Sequence, residues 1–280
     1  ILRMSMASEL QVLAYGLTRF AERNRHFRDF TLNLLVHAMR EIISSFPVYR
    51  TYVNARESDV SAHDRRYIDH AVNEATRRNP GYPNVVFEFV RGLLLKKADY
   101  IPEEDRGEHM KFVGKFQQVT SPVTAKGIED TALYLYNRLV SLNEVGSEPD
   151  KFGLSPDALH AWLAERSLKW PHSLSASSTH DTKRSEDVRA RINVLSELPG
   201  EWRTATGRWA RLNRKARSLI NGESYPSRNE EYLLYQTLIG AWPHAPINDD
   251  FIKRVGAYAV KAAREGKLET SWISPNESYE

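Results

Sequence analysis

The stretch SSTHDTKRSED, residues 177–187, concentrates one histidine, three carboxylates and two cations in a short segment. The residues before it, 174–176, alternate apolar and small side chains and predict a short strand. After it, apolar residues recur with helical spacing at Val188, Ile192 and Leu195. The stretch therefore lies on a predicted turn from a strand to a helix, which is where α/β enzymes gather catalytic side chains.

A simpler interpretation of the same stretch is a well-capped helix. Ser185 would be the N-cap residue, and Glu186 and Asp187 would interact favourably with the helix dipole. Capping does not require the adjacent pair His180–Asp181. We therefore favour a site at this turn and keep the capped helix as the alternative.

Composition limits the class of protein. The chain has 280 residues, 41% of them hydrophobic, which is ordinary for a globular protein. The net charge is only +3 and both signs are interleaved, so composition argues against a nucleic-acid partner. Cysteine is absent from the sequence, which excludes disulfides and is compatible with a cytoplasmic location. No apolar run suggests a membrane span or signal peptide, and the two ends suggest a piece of a longer polypeptide.

The first part of the chain is predicted to be mainly helical. Residues 1–45 predict a helical hairpin, with Ser8 and Asp29 as possible caps. Residues 46–120 predict a strand followed by a helical insertion. The strand would cover 46–53, where Pro47 ends the preceding helix and β-branched and aromatic residues follow. Arg50 on that strand is a possible ligand contact or, more simply, a paired surface charge.

A second polar cluster, residues 120–131, precedes another helical pattern. Asp130 or Thr131 could cap that helix, on which Tyr134 and Arg138 would stack four residues apart. Residues 121–245 form the third predicted region, and 246–280 form a C-terminal helix and tail that Asn248 could cap.

The third region, residues 121–245, contains two helix signals and one segment whose secondary structure is ambiguous. Ser155 could cap a helix, and apolar spacing predicts another helix over 209–220. The continuously apolar segment 232–242 could be a buried strand or a buried helix. Most of the chain is therefore predicted to be helical, with a few short strands.

Four segments together carry a specific resemblance. They are 46–52, 125–146, 178–191 and 231–243. They resemble the maltooligosyl trehalose synthases, a family of the α-amylase superfamily. This resemblance implies an α/β (β/α)8 TIM barrel with an inserted helical subdomain, of which the chain would supply a C-terminal-half fragment.

The resemblance also implies roles for residues in both polar clusters. Asp181 matches the carboxylate that stabilises the transition state of a retaining reaction. His180 would donate a hydrogen bond to the same sugar, and Lys183 and Lys126 would bind hydroxyl groups of the reducing-end glucose. Tyr134 and Tyr136 would offer ring faces to sugars. Neither the nucleophile nor the acid/base has a candidate here, so we expect the chain alone to be inactive.

The implied reaction rearranges the reducing-end α-1,4 linkage of a maltooligosaccharide to an α,α-1,1 linkage. The excised glucose stays bound and is rejoined, so the net change is an isomerisation. The implied partners are the α-1,4-glucan substrate and the N-terminal part of the barrel, with no cofactor or metal. The alternative is a non-catalytic helical module that binds sugar or another protein.

Overall fold

The computed structural model describes residues 1–99 and 101–280, and it divides into two compact units, Ile1–Ile128 and Glu129–Glu280. Most described residues are helical, which confirms the predicted helical character. Of the described helices, none is long and apolar enough to span a bilayer.

The described residues of the first unit form a bundle of five α-helices around one apolar core. They are α1 (Ala7–Ala21), α2 (Leu32–Ser44), α3 (Ala62–Arg78), α4 (Asn84–Leu94) and α5 (Arg106–Thr124), with a 3₁₀ turn at Glu103–Asp105. Leu13 of α1, Met39 of α2 and Phe116 of α5 are almost fully buried in that core. The predicted packing of the first two helices is confirmed, but their caps are not. The N-cap residues are Met6 and Thr31, because Ser8 lies inside α1 and Asp29 lies before the Thr31 cap.

The strand predicted over residues 46–53 is wrong. The segment is irregular, and side chains occupy the hydrogen-bonding groups that a neighbouring strand would use. Gln117 accepts from the main-chain N–H of Val53 at 2.7 Å and donates to its carbonyl at 3.0 Å. Asp64 accepts from the N–H of Tyr52 at 3.2 Å. Because these helix-borne side chains satisfy the backbone, the segment needs no strand partner.

The second unit contains the remaining elements. Its α-helices are α6 (Leu133–Leu135), α7 (Pro156–Lys169), α8 (Glu186–Asn193), α9 (Pro199–Leu212), α10 (Arg228–Ala241) and α11 (Asp249–Gly266). Its 3₁₀ turns are Val140–Leu142, Val194–Ser196 and Asn213–Ala216, and its strands are β1 (Ser218–Ile220) and β2 (Glu223–Tyr225). A π-helix, Ala125–Ala132, follows α5, and its residues up to Ile128 belong to the first unit.

Several predictions in this region need correction. Residues 174–176 are irregular and not a strand. The helix predicted over 209–220 ends at Leu212. The last residues of the predicted range, Ser218–Ile220, form β1. β1 pairs antiparallel with β2 through Asn221 and Gly222, whose φ angles of 52° and 87° fit a tight hairpin turn. The apolar segment 232–242 is mainly helix α10, which resolves the open choice between strand and helix.

The helix expected after Thr131 is also shorter than predicted. Asp130 and Thr131 lie within the π-helix and not at a cap, and α6 ends at Leu135. The side-chain amide of Asn143 donates to the carbonyls of Leu133 and Tyr136 at 2.8 and 2.7 Å. These bonds satisfy carbonyls that a continuing helix would otherwise use, and the chain turns away.

Two helix starts in the second unit match their sequence signals. Ser155 accepts from the N–H of Ala158, and Asn248 accepts from the N–H of Phe251. The last helix ends at Gly266, and the left-handed residue after it is Lys267, with φ of 57°.

A small apolar core joins α8, α10 and α11. It contains Val140, Ile192, Leu233 and Ala262, all buried. Gly240 of α10 lets α8 approach closely, because a Cβ there would lie 2.7 Å from Val188 and 2.9 Å from Ile192. This packing fixes α8, the helix that follows the predicted site.

Candidate functional site

The histidine–aspartate pair lies on an exposed turn. His180 Nε2 is 3.2 Å from Asp181 Oδ2, and their side chains are 90% and 70% exposed. Ser185 is the residue that precedes α8, with the extended conformation typical of an N-cap position. The prediction of a turn that leads into a helix is therefore confirmed, although the segment before the turn is not a strand.

A partly buried carboxylate, that of Glu144, holds the end of this turn. Both side-chain oxygens of Glu144 accept from the main-chain N–H of Lys183, at 2.8 and 3.0 Å. The same carboxylate pairs with the guanidinium of Arg189 at 3.1 Å, and both side chains are about four-fifths buried, with 18% and 21% exposed. Arg189 also donates to the carbonyl of Ser177 at the start of the turn.

The side chain of Lys183 joins the two polar clusters. Its ammonium group lies 3.0 Å from Asp130 Oδ1, with side-chain exposures of 15% and 26%. It also lies 5.9 Å from the ring centroid of Tyr134. Thr131 and the carbonyl of Asp130 accept from Lys267, which follows α11. Two segments that are distant in the sequence are thus adjacent in the second unit.

The two tyrosines predicted to face sugars, Tyr134 and Tyr136, have different surroundings. Tyr134 is half-buried. Burial raises the pKa of Tyr134 to about 12, so its hydroxyl stays protonated at neutral pH. It lines a cavity of about 340 Å³ together with Tyr225, Tyr258 and Tyr279. The predicted stacking of Arg138 on Tyr134 is wrong, since Arg138 lies 5.9 Å from the ring centroid of Tyr136.

Arg50 and Lys126 belong to the first unit. Arg50 is exposed, lies 4.6 Å from the ring centroid of Tyr52 and donates to the carbonyl of Thr51. Lys126 is an exposed residue of the π-helix. Their predicted roles in ligand binding stay predictions.

Three residues of the site were not singled out from the sequence for a role there. Glu144 and Arg189 lie within two of the four segments that carry the resemblance but have no predicted role, and Tyr258 lies outside those segments. Tyr258 accepts from Arg184 at 2.5 Å, which ties the turn to α11. Among residues 1–99 and 101–280, no group of three His, Asp or Glu side chains could hold a metal ion. The polar groups of this region are arranged as ion pairs and backbone anchors.

The chain resembles known proteins in sequence and in structure. No protein-family model matches the chain. A Mycobacterium tuberculosis (strain H37Rv) protein, provisionally named a maltooligosyl trehalose synthase, is 41% identical over 167 residues. The solved maltooligosyltrehalose synthase of Arthrobacter ramosus is 32% identical, with a TM-score of 0.73 over 98% of this chain. The chain is thus similar to a part of the maltooligosyl trehalose synthases.

The match to the synthases is partial in length. The chain spans 20% of the Mycobacterium tuberculosis relative, whose match covers 59% of this chain, and 30% of the Arthrobacter ramosus enzyme. A Sulfolobus tokodaii structure, described as a hypothetical maltooligosyl trehalose synthase, is 29% identical. Its TM-score is 0.63 over 96% of this chain and 33% of its own length. The resemblance drawn from the four sequence segments is thereby confirmed. Since β1 and β2 are the strands among the described residues, the barrel stays a prediction.

Proposed function

We propose that the chain is a part of an enzyme that converts the reducing-end α-1,4 linkage of maltooligosaccharides to an α,α-1,1 linkage. The observation that carries this proposal is the ion pair between Lys183 and Asp130. It joins the two polar clusters that resemble the synthases, beside the turn that bears His180 and Asp181. The relatives named as maltooligosyl trehalose synthases support the same reaction class.

Asp181 is the proposed transition-state stabiliser. Cleavage of a glycosidic bond places positive charge on the sugar ring, and a fixed carboxylate nearby lowers the energy of that state. His180, 3.2 Å from Asp181, would donate a hydrogen bond to the same sugar. The retaining chemistry also needs a nucleophile and an acid/base, and we propose that the rest of the synthase supplies both.

Lys183 is the proposed contact with the glucose that is excised and rejoined. An ammonium group has three N–H donors, and the pair with Asp130 uses one of them. A second donor can reach a sugar hydroxyl while Asp130 holds the side chain in place. We propose sugar contacts for Lys126, Arg50 and the rings of Tyr134 and Tyr136 as well.

Exposed apolar side chains support a larger assembly. Trp162 of α7 is 51% exposed, and Trp170 and Leu174 beyond it are 68% and 96% exposed. Exposed apolar side chains mark a contact region when they form a contiguous patch. We propose that this face packs against the remaining part of the catalytic barrel, and that residues 121–245 belong to that barrel. The complete enzyme would act in the cytoplasm.

A hybrid enzyme tests the proposal. In the hybrid, this chain replaces the matching segment of the Arthrobacter ramosus synthase, and the substrate is maltopentaose. The hybrid should form a product that lacks a reducing end, with an α,α-1,1 signal in its NMR spectrum, while the chain alone should form none. A folded hybrid that leaves maltopentaose unchanged would overturn the proposal.

A further inference from the structure

We propose that Glu144 is a positioning residue for the turn that carries His180 and Asp181. It would act through the main-chain N–H of Lys183 and the guanidinium of Arg189. Its consequence for chemistry rests on the function proposed above, whereas its consequence for the conformation of the turn does not.

The contact of Glu144 with Lys183 fixes the end of the turn. Both carboxylate oxygens lie within 3.0 Å of the same main-chain nitrogen, two residues after Asp181. A hydrogen bond to an ionised acceptor is about twice as strong as one between neutral groups. Because the Glu144 side chain is 18% exposed, water competes weakly for this bond.

Arg189 fixes the start of the same turn. Its guanidinium spans from Glu144 Oε2, 3.1 Å away, to the carbonyl of Ser177. One carboxylate–guanidinium pair therefore holds both ends of the turn, at Ser177 and at Lys183. Arg189 itself is carried by α8, whose buried Ile192 packs against α10.

Such support is needed because the side chains of His180 and Asp181 are exposed. The two side chains contact each other, so the backbone of the turn sets the direction in which they point. A stabilising carboxylate must be held within about 0.5 Å of its productive position. The Glu144–Arg189 pair contributes to holding it, beside local bonds such as that of the Thr182 hydroxyl to the Thr179 carbonyl.

Hydrogen exchange of the 280-residue chain tests the positioning directly. With ¹⁵N-lysine labelling, Glu144→Ala should speed exchange of the Lys183 amide roughly tenfold, since a bond to a charged group is lost. Glu144→Gln keeps a carbonyl oxygen that can accept, and should restore part of the protection. Glu148→Gln is the matched control, since Glu148 is exposed and pairs with Lys151, and it should leave exchange unchanged. A folded Glu144→Ala variant with wild-type exchange at Lys183 would overturn the proposal.

The kinetic consequence is measured in the hybrid synthase. Misplacement of a reacting group by about 1 Å can cost about a hundredfold in rate. Glu144→Ala should therefore lower kcat by about tenfold to a hundredfold while KM changes much less, and Glu144→Gln should recover part of kcat. An unchanged kcat would contradict the positioning role. If the hybrid with Glu144 intact is inactive, the proposed function fails, and the exchange measurement still decides whether Glu144 positions the turn.

Discussion

Lys183 Nζ lies 3.0 Å from Asp130 Oδ1, and this ion pair connects two polar segments that are far apart in the sequence. Neither side chain is more than about a quarter exposed. The pair is therefore less screened by water than an ordinary surface ion pair. It stabilises the second unit and places Lys183 beside the histidine–aspartate turn.

Removing either partner of this pair should destabilise the second unit. Lys183→Met and Asp130→Asn should each lower the free energy of unfolding by about 1–2 kcal/mol, between the values for exposed and buried pairs. The double variant should lose about 1 kcal/mol less than the sum, because the two groups interact directly. Urea unfolding of the four proteins measures this coupling, and strictly additive losses would show that the pair contributes nothing.

Gln117 should be essential to the first unit. It is 3% exposed and pairs with both the N–H and the carbonyl of Val53. Gln117→Ala leaves two buried backbone groups unsatisfied, and we expect a loss of about 2–4 kcal/mol in the free energy of unfolding. Gln118→Ala is the control on the same helix, because Gln118 is exposed and should change stability by less than about 0.5 kcal/mol. Equal losses for the two variants would contradict this role.

Two glycine substitutions should have opposite effects. Gly240→Ala places a Cβ 2.7 Å from Val188, and overpacking of this kind costs about 1–3 kcal/mol. Gly256→Ala in α11 meets no neighbour within 4 Å among the described residues, and should stabilise by about 0.5–1 kcal/mol through helix propensity. Thermal unfolding compares the two. A stabilising Gly240→Ala would show that α8 and α10 do not pack as described.

The first unit should lose stability in mild acid because of His109. Burial lowers the pKa of His109, the charge of Lys96 adds to this effect, and the carbonyl of Leu93, 2.7 Å from Nε2, opposes it. Below the unfolded pKa of about 6.5, the unfolded chain binds a proton that the folded chain does not. Stability therefore falls as pH drops through 6.5 towards the lower folded pKa, by at most about 1.4 kcal/mol per pH unit.

Substitution of His109 isolates its contribution to this pH dependence. His109→Gln keeps a donor for the Leu93 carbonyl but cannot titrate, so the stability of the variant should vary less between pH 7 and pH 5. His26→Gln is the control, because His26 is exposed. Denaturant unfolding at several pH values gives the slopes, and a wild-type slope in His109→Gln would contradict this assignment.

Elements with strong local signals could be predicted from the sequence. The apolar periodicity of α1 and α2 and the caps at Ser155 and Asn248 match the structure. These features depend on residues within one or two helical turns, so the local sequence contains the needed information. The Asn221–Gly222 turn is equally local and could have been recognised, but the apolar spacing around it favoured a helix.

Features that depend on distant side chains could not be predicted in the same way. The segment 46–53 has a strand-like composition, but its hydrogen bonds go to Asp64 and Gln117. In the second unit, Gln236 similarly accepts from the N–H of Val140 and donates to the carbonyl of Asn137. The position of the His180–Asp181 turn could be predicted, whereas its anchor Glu144 could not, because only the tertiary structure brings the two together.

The most direct measurement is the turnover of maltopentaose by the hybrid synthase carrying Asp181→Asn. This change removes the charge of the proposed stabilising carboxylate with little change in shape. We expect kcat to fall by about 10³-fold or more, since the loss of one electrostatic stabiliser costs about 10²–10³-fold and a full charge more. Asp157→Asn, at an exposed site in the first turn of α7, should leave kcat within about twofold. If Asp181→Asn retains nearly the kcat of the unmodified hybrid, Asp181 does not stabilise the transition state.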